Sequence, residues 1–220
     1  MRILILSFAS IFFLCNPLNL PDGFIYLKDI DNEIIVDLKY YSKSNFTAKI
    51  VDGYYSNNAI LTVEAATALV NAQKDFKKIG FSLIVFDAYR PQSAVDFFIE
   101  WSKDINDTIN KNIYYPDINK SELFNQGYIA YKSGHSRGST IDVSLIDLSN
   151  NNQIDMGTIY DFFGPESSTL YPNISENQKY NRSLLNDIMS NNGFKNYSKE
   201  WWHFTLEDEP FGIYFNFPVK

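Results

Sequence analysis

The chain holds only two histidines, and each stands near a carboxylate. His135 lies in SGHSRGSTID, with glycines on either side and Asp142 seven residues on. His203 lies in KEWWHFTL, three residues after Glu200. Imidazole nitrogens and a carboxylate oxygen are donors of the kind a catalytic zinc takes, with three protein ligands and one position left for water. Cys15 is the only cysteine, so the affordable ligand set is two histidines and one carboxylate. Gly138 permits the sharp reversal that would bring His135 and Asp142 to one point, and His203 would arrive from a neighbouring strand. Glu200 would then stand close to a metal without ligating it, where a general base for an activated water belongs. Each of these residues also has a plain reading. A lone histidine is more often a satisfied structural residue, SGHSRGSTID can be a polar turn, and Glu200 can be a solvated residue beside Lys199. Arg90, in DAYRP, is a cation at the end of an apolar strand, a surface arginine, or an ion-pair partner of Asp87.

Helices and strands are both needed to position these groups. Thr62 is a good N-cap for a helix through Ile79, closed by Gly80, with Ala65, Leu69, Ala72, Phe76 and Ile79 in one apolar stripe. Phe81 to Asp87, FSLIVFD, has strand length and apolarity. Pro91 then suits the start of a second helix whose face carries Val95, Phe98, Ile99 and Ser102. Strand character returns at Gly127 to Tyr131 and at Thr140 to Ile146. In the latter run Ile141, Val143 and Leu145 alternate with Asp142 and Ser144, which face the other way. Leu184, Ile188 and Met189 predict a third helix ended by Asn192-Gly193, and the closing WWHFTL and IYFNF read as aromatic strands. Elements mixed without a regular βαβ rhythm predict an α+β fold, with helices packed on a largely antiparallel central sheet.

A length of 220 residues suits one domain, and 45% hydrophobic with 16% aromatic content is ample for a core. The net charge of −7, with basic residues scattered, excludes nucleic acid and favours a small-molecule or peptide partner. Arg2 followed by an apolar run to Cys15 matches the charged and hydrophobic regions of a secretory signal. The run is too short to span a ~30 Å hydrocarbon core comfortably. The chain therefore divides into a leader at residues 1–20 and a single domain at 21–220. Export to the periplasm is the expectation if that leader is a signal peptide, with no membrane partner once it is removed; a cytoplasmic protein is the expectation if the apolar run is a buried first helix or strand. A lone cysteine forms no intramolecular disulfide.

SGHSRGSTIDVSL, DAYRP and EWWHF look like the signature blocks of the D-alanyl-D-alanine dipeptidases, zinc peptidases related to the dipeptidase of vancomycin-resistance clusters. VDLKYYSKSNFTAKIVDGY, DMGTIYDFFG and EDEPF with YFNFPVK resemble the same family, so the likeness runs from Phe24 to Lys220. The resemblance implies the hedgehog/D,D-peptidase-like zinc peptidase fold and one Zn2+ per chain on His135, Asp142 and His203. It also implies Glu200 as the catalytic base for a metal-bound water and Arg90 as the stabiliser of the transition state. Tyr40, Ser133 and Asp161 match family positions that bind the small substrate. The activity it implies is hydrolysis of D-Ala-D-Ala to two D-alanine. The alternatives are a D,D- or L,D-carboxypeptidase acting on longer peptidoglycan peptides and a non-catalytic zinc-stabilised binding protein. One departure is Gly134, where the resistance dipeptidases tend to have serine.

Overall fold

The protein is described by a computed structural model over residues 20–220. The leader expected at 1–20 and its Cys15 lie outside the described residues, Leu20 apart. Among the described residues no helix is long and apolar enough to cross a membrane.

The chain opens with strand β1 (Phe24–Tyr26) and the short β2 (Ile35–Val36), followed by β3 (Ile60–Thr62) and helix α1 (Val63–Lys78). The Thr62 hydroxyl accepts from the Ala65 amide and caps α1 as its position predicts. Ala65, Leu69, Ala72 and Phe76 are fully buried along one face. Ile79 leaves that stripe: it is the C-cap residue and half exposed, because Gly80 at φ +88° has already turned the chain. β4 (Phe81–Asp87) follows as expected. The buried Gln73 ties it to α1, its amide donating to the Ser82 hydroxyl at 2.8 Å while its carbonyl accepts from the Leu83 amide at 2.8 Å.

Helix α2 (Gln92–Lys103) starts after Pro91, and a single helical turn, α3 (Lys111–Tyr114), lies in the long connection beyond it. Then come β5 (Thr140–Asp147), the two-residue β6 (Asn152–Gln153), α4 (Glu176–Asn191), β7 (Phe194–Asn196) and β8 (His203–Leu206). Helix α4 begins well before its predicted apolar stripe, because Ser175 and Gln178 form a capping box.

The main sheet has the order β2-β4-β5-β8-β7, with β6 on the end of β5. Only β2–β4 is parallel, so the sheet is largely antiparallel, with helices packed on it in an α+β fold. Helix α1 packs on β4, α4 packs on β7, and the two helices touch each other. β1 and β3 form a separate antiparallel ribbon. β5 is buried on both faces, so Asp142 and Ser144 point into a covered interior rather than toward water.

Two predicted strands are not formed. Gly127 to Tyr131 is a loop, in which the Tyr128 and Ile129 amides both turn back onto the Leu123 carbonyl. Its apolar side chains wall the cavity described below instead of joining a ladder. IYFNF (213–217) is extended but unladdered. It is pinned by single backbone bonds, such as Phe215 N to Ser136 O at 2.8 Å, and by Phe215 and Phe217 set edge-on against Phe24. In WWHFTL only the part from His203 is strand, and the two buried tryptophans form the turn that leads into it.

Candidate active site

The register of the sheet assembles the site. Asp142 on the central β5 stands opposite His203 on β8 and opposite Asp87 on β4. A register shift between Val85 and Asp87, of the kind that re-aims side chains beside functional sites, places Asp87 there. His135 comes from the loop before β5, on a short 3-10 turn over Gly134–Arg137. Ser133 caps that turn, accepting from the His135 amide, and Gly138 closes it at φ +87°. A Cβ at Gly138 would lie 2.2 Å from the Phe24 ring, so both the backbone and the space require glycine there.

The three residues of the proposed ligand set offer one donor atom each, all within 4.8 Å of one another. His135 Nδ1 donates to the Ala88 carbonyl at 2.7 Å. A carbonyl can only accept, so this bond puts the proton on Nδ1 and leaves Nε2 with its lone pair aimed inward. Asp142 Oδ1 lies 3.3 Å from His135 Nε2 and 3.0 Å from His203 Nδ1. Although buried, Oδ1 has no aligned hydrogen bond. An orphaned carboxylate oxygen facing two imidazole nitrogens is an unmet need that a cation satisfies, and an N2O donor set suits zinc. The residues present therefore fit the metal that the sequence reading expects.

Glu200 Oε2 is 3.6 Å from His203 Nδ1, facing the cluster without joining the three donor atoms. Burial pushes its carboxyl up to about 7, assisted by the nearby charge of Asp142 and opposed by His203 and Arg90. Asp142 behaves in the opposite way. Burial works to raise it, but the facing His135 and His203 rings overcome that and hold it below the ordinary carboxylate range.

Arg90 is not a surface arginine: it lies largely buried at the end of β4 and pairs with Asp87. Its Nε donates to Asp87 Oδ2 at 2.8 Å, its Nη2 lies 3.6 Å from Asp142 Oδ2, and its guanidinium covers the Tyr40 and Phe98 rings at 5.0 and 5.5 Å. It nevertheless lines the cavity in front of the cluster. Tyr40 is buried and donates to Asp161 Oδ2 at 2.8 Å. Burial, and then the charge of Asp142, push the Asp161 carboxyl well above its ordinary range.

All eight residues singled out in the sequence line one cavity of about 330 Å³: Tyr40, Arg90, Ser133, His135, Asp142, Asp161, Glu200 and His203. Its remaining wall is largely apolar, with Phe46, Val95, Phe98, Ile129 and Phe163. Sequence reasoning passed over Tyr160, whose hydroxyl reaches Asp142, and it weighed Asp87 only as an ion-pair partner. No spacing rule marks Tyr160. The register shift that turns Asp87 inward is likewise a property of the paired strands, invisible in either alone.

Comparison with known proteins agrees with this geometry. The family model described as D-ala-D-ala dipeptidase, of the M15 peptidases, matches residues 21–220. A D-alanyl-D-alanine dipeptidase of Enterococcus faecium is 42% identical over 90% of this chain and 98% of its own length. Proteins of the same name from Enterococcus faecalis and Streptomyces coelicolor are 41% and 40% identical, over 91% and 89% of this chain and 100% and 98% of theirs. The chain belongs to the D-Ala-D-Ala dipeptidase family of the M15 peptidases.

Proposed function

We propose that this chain hydrolyses the D-alanyl-D-alanine dipeptide to two molecules of D-alanine in a zinc-dependent reaction. The observation that carries the reading is the convergence of His135, Asp142 and His203 in the cavity that also holds Glu200 and Arg90. Zinc held by those three residues would supply Lewis acidity, polarising a carbonyl oxygen and lowering the pKa of a water toward ~7.

Glu200 is the proton carrier of the reaction. Its carboxyl, raised to about 7 by burial, takes a proton from the attacking water and later gives it to the leaving amine. Arg90 holds the negative charge that develops on the carbonyl oxygen. Asp87 binds its Nε and thereby aims the rest of the guanidinium, so no reorganisation is needed when charge appears. Phe98 and Phe163 give the site an apolar wall, and the lower local dielectric beside it strengthens each of these contacts.

A free dipeptide carries an ammonium and a carboxylate close together. Asp161, with Tyr40 bonded to it, supplies the acidic group that reads the ammonium, and the Ser133 hydroxyl lies on the same cavity wall to help read the carboxylate. A substrate ammonium beside Asp161 restores the ionised carboxylate that burial disfavours. The apolar run after Arg2 supports export, and with it scavenging or turnover of D-Ala-D-Ala outside the inner membrane rather than depletion of a cytosolic pool. Cell fractionation that finds the enzyme only in the cytosol reverses that last point.

The decisive experiment incubates the zinc-loaded protein with D-Ala-D-Ala, L,D- and L,L-dipeptides, and a muropeptide ending in D-Ala-D-Ala. Release of D-alanine from the free D,D-dipeptide is expected. Release from the muropeptide alone would make the chain a carboxypeptidase, and release from none would make it a binding protein.

A further inference from the structure

Asp142 must offer one oxygen to a cation while the other is held, and the holding group is Tyr160. The Tyr160 hydroxyl lies 2.9 Å from Asp142 Oδ2, whereas Oδ1 faces the two imidazoles without a hydrogen bond. A carboxylate turns easily about its last torsion, so a fixed donor on one oxygen decides where the other points. Tyr160 is such a donor. It is 6% exposed, and its ring packs against Phe86 at 5.0 Å and edge-on against Trp202 at 5.4 Å.

The same hydroxyl lies 3.1 Å from the Tyr40 oxygen, and Tyr40 donates to Asp161. Tyr160 and Asp161 are neighbours in the chain, and in extended backbone their side chains would point to opposite faces. Asp161 takes the left-handed conformation at φ +60°, which turns both side chains toward Tyr40 and the site. Non-glycine residues held there are strained, and such strain gathers at functional sites. Tyr160 has one proton and two acceptors within reach. The ionised carboxylate is the stronger acceptor, so the proton serves Asp142, while the Tyr40 proton serves Asp161.

We propose that Tyr160 is the positioning residue of Asp142, orienting it for the metal, while Tyr40 separately positions Asp161 for the substrate ammonium. The proposal rests on the zinc-centred reading above and adds a residue to it. Each tie is cut by one Phe substitution that preserves the ring. The test uses the full chain as wild type, Tyr160→Phe, Tyr40→Phe and Asp142→Ala. Zinc affinity is read by competition with a chromophoric chelator, kcat and KM for D-Ala-D-Ala at saturating zinc, and thermal melting without metal. Tyr160→Phe should raise the zinc Kd by about 10–100-fold, with KM close to wild type and a metal-free melt that stays cooperative, though lowered by the hydrogen bond lost to a buried carboxylate. Tyr40→Phe should do the converse, raising KM with zinc affinity kept. A zinc Kd in Tyr160→Phe within about threefold of wild type, while Asp142→Ala loses zinc, overturns the positioning role and leaves the metal centre standing. A weaker Kd accompanied by a lost cooperative melt is unfolding and overturns it too. A wild-type chain that takes up no zinc overturns both readings.

Discussion

Replacing Arg90 with lysine separates its two duties. In the wild type the guanidinium bonds the fully buried Asp87 through Nε at 2.8 Å and still presents nitrogen donors to the cavity. A lysine has one ammonium on a flexible stem and cannot fill both places. Leaving Asp87 with only its Tyr54 bond would strand a buried carboxylate, at about 3–5 kcal/mol. That penalty would apply to every molecule at all times, whereas the contact with developing charge is available only during turnover. The ammonium therefore stays on Asp87, and the fold is kept. What is lost is a donor to the oxyanion, worth about 2.7–4 kcal/mol, or roughly 10²–10³ in kcat. Steady-state release of D-alanine, zinc content and thermal melting are measured on one preparation. The expected result is kcat down by that factor, with zinc stoichiometry and melting temperature near wild type. Turnover within about threefold of wild type would refute the assignment and leave Arg90 a structural partner of Asp87.

Three further outcomes follow from the same geometry. His203→Ala removes one of the three donor atoms and should purify with little zinc by elemental analysis. Glu200→Gln should keep zinc and lose roughly 10²–10⁴ in kcat. The same variant reports the raised Glu200 pKa through stability. A carboxyl held at about 7 in the folded chain contributes stability below its unfolded value, ~4.3, and loses it as pH rises through about 7. Denaturation of metal-free protein should thus show Glu200→Gln gaining on wild type between pH 5 and 8, and a gap independent of pH would contradict the buried setting. Gly138→Ala places a Cβ against Phe24 at a left-handed backbone position, and should cost about 2–5 kcal/mol in chemical denaturation and weaken zinc binding through His135.

Much of the site was legible because its chemistry is written in short stretches. The scarcity of histidine and cysteine leaves few ways to build a metal centre, and Gly138 marks the reversal before β5. Helix α1 and strand β4 announce themselves through a cap, a stripe and an apolar run, each a local property. The failures at Gly127 to Tyr131 and at IYFNF have one cause. Aromatic and β-branched residues signal a half-buried surface, and that is met without a ladder: the loop over the cavity buries Ile129, and the arm half-buries Phe215 and Phe217 on an aromatic cluster while Ile213 and Tyr214 stay exposed.

The residue types and their spacing determined by themselves which groups the protein has for its chemistry: two imidazoles, a carboxylate to join them, a second carboxylate for protons and an arginine. They did so because ligand identity is a property of single side chains. Only the tertiary structure decided how those groups are held. It set Asp142 between His203 and Asp87 through strand register, fixed the His135 proton on Nδ1 by a hydrogen bond donated to the Ala88 carbonyl, and brought Tyr160 to the carboxylate of Asp142. Those relations join segments far apart in the chain, and hydrogen bonds between distant segments exist only once the sheet has paired and the interior has excluded water.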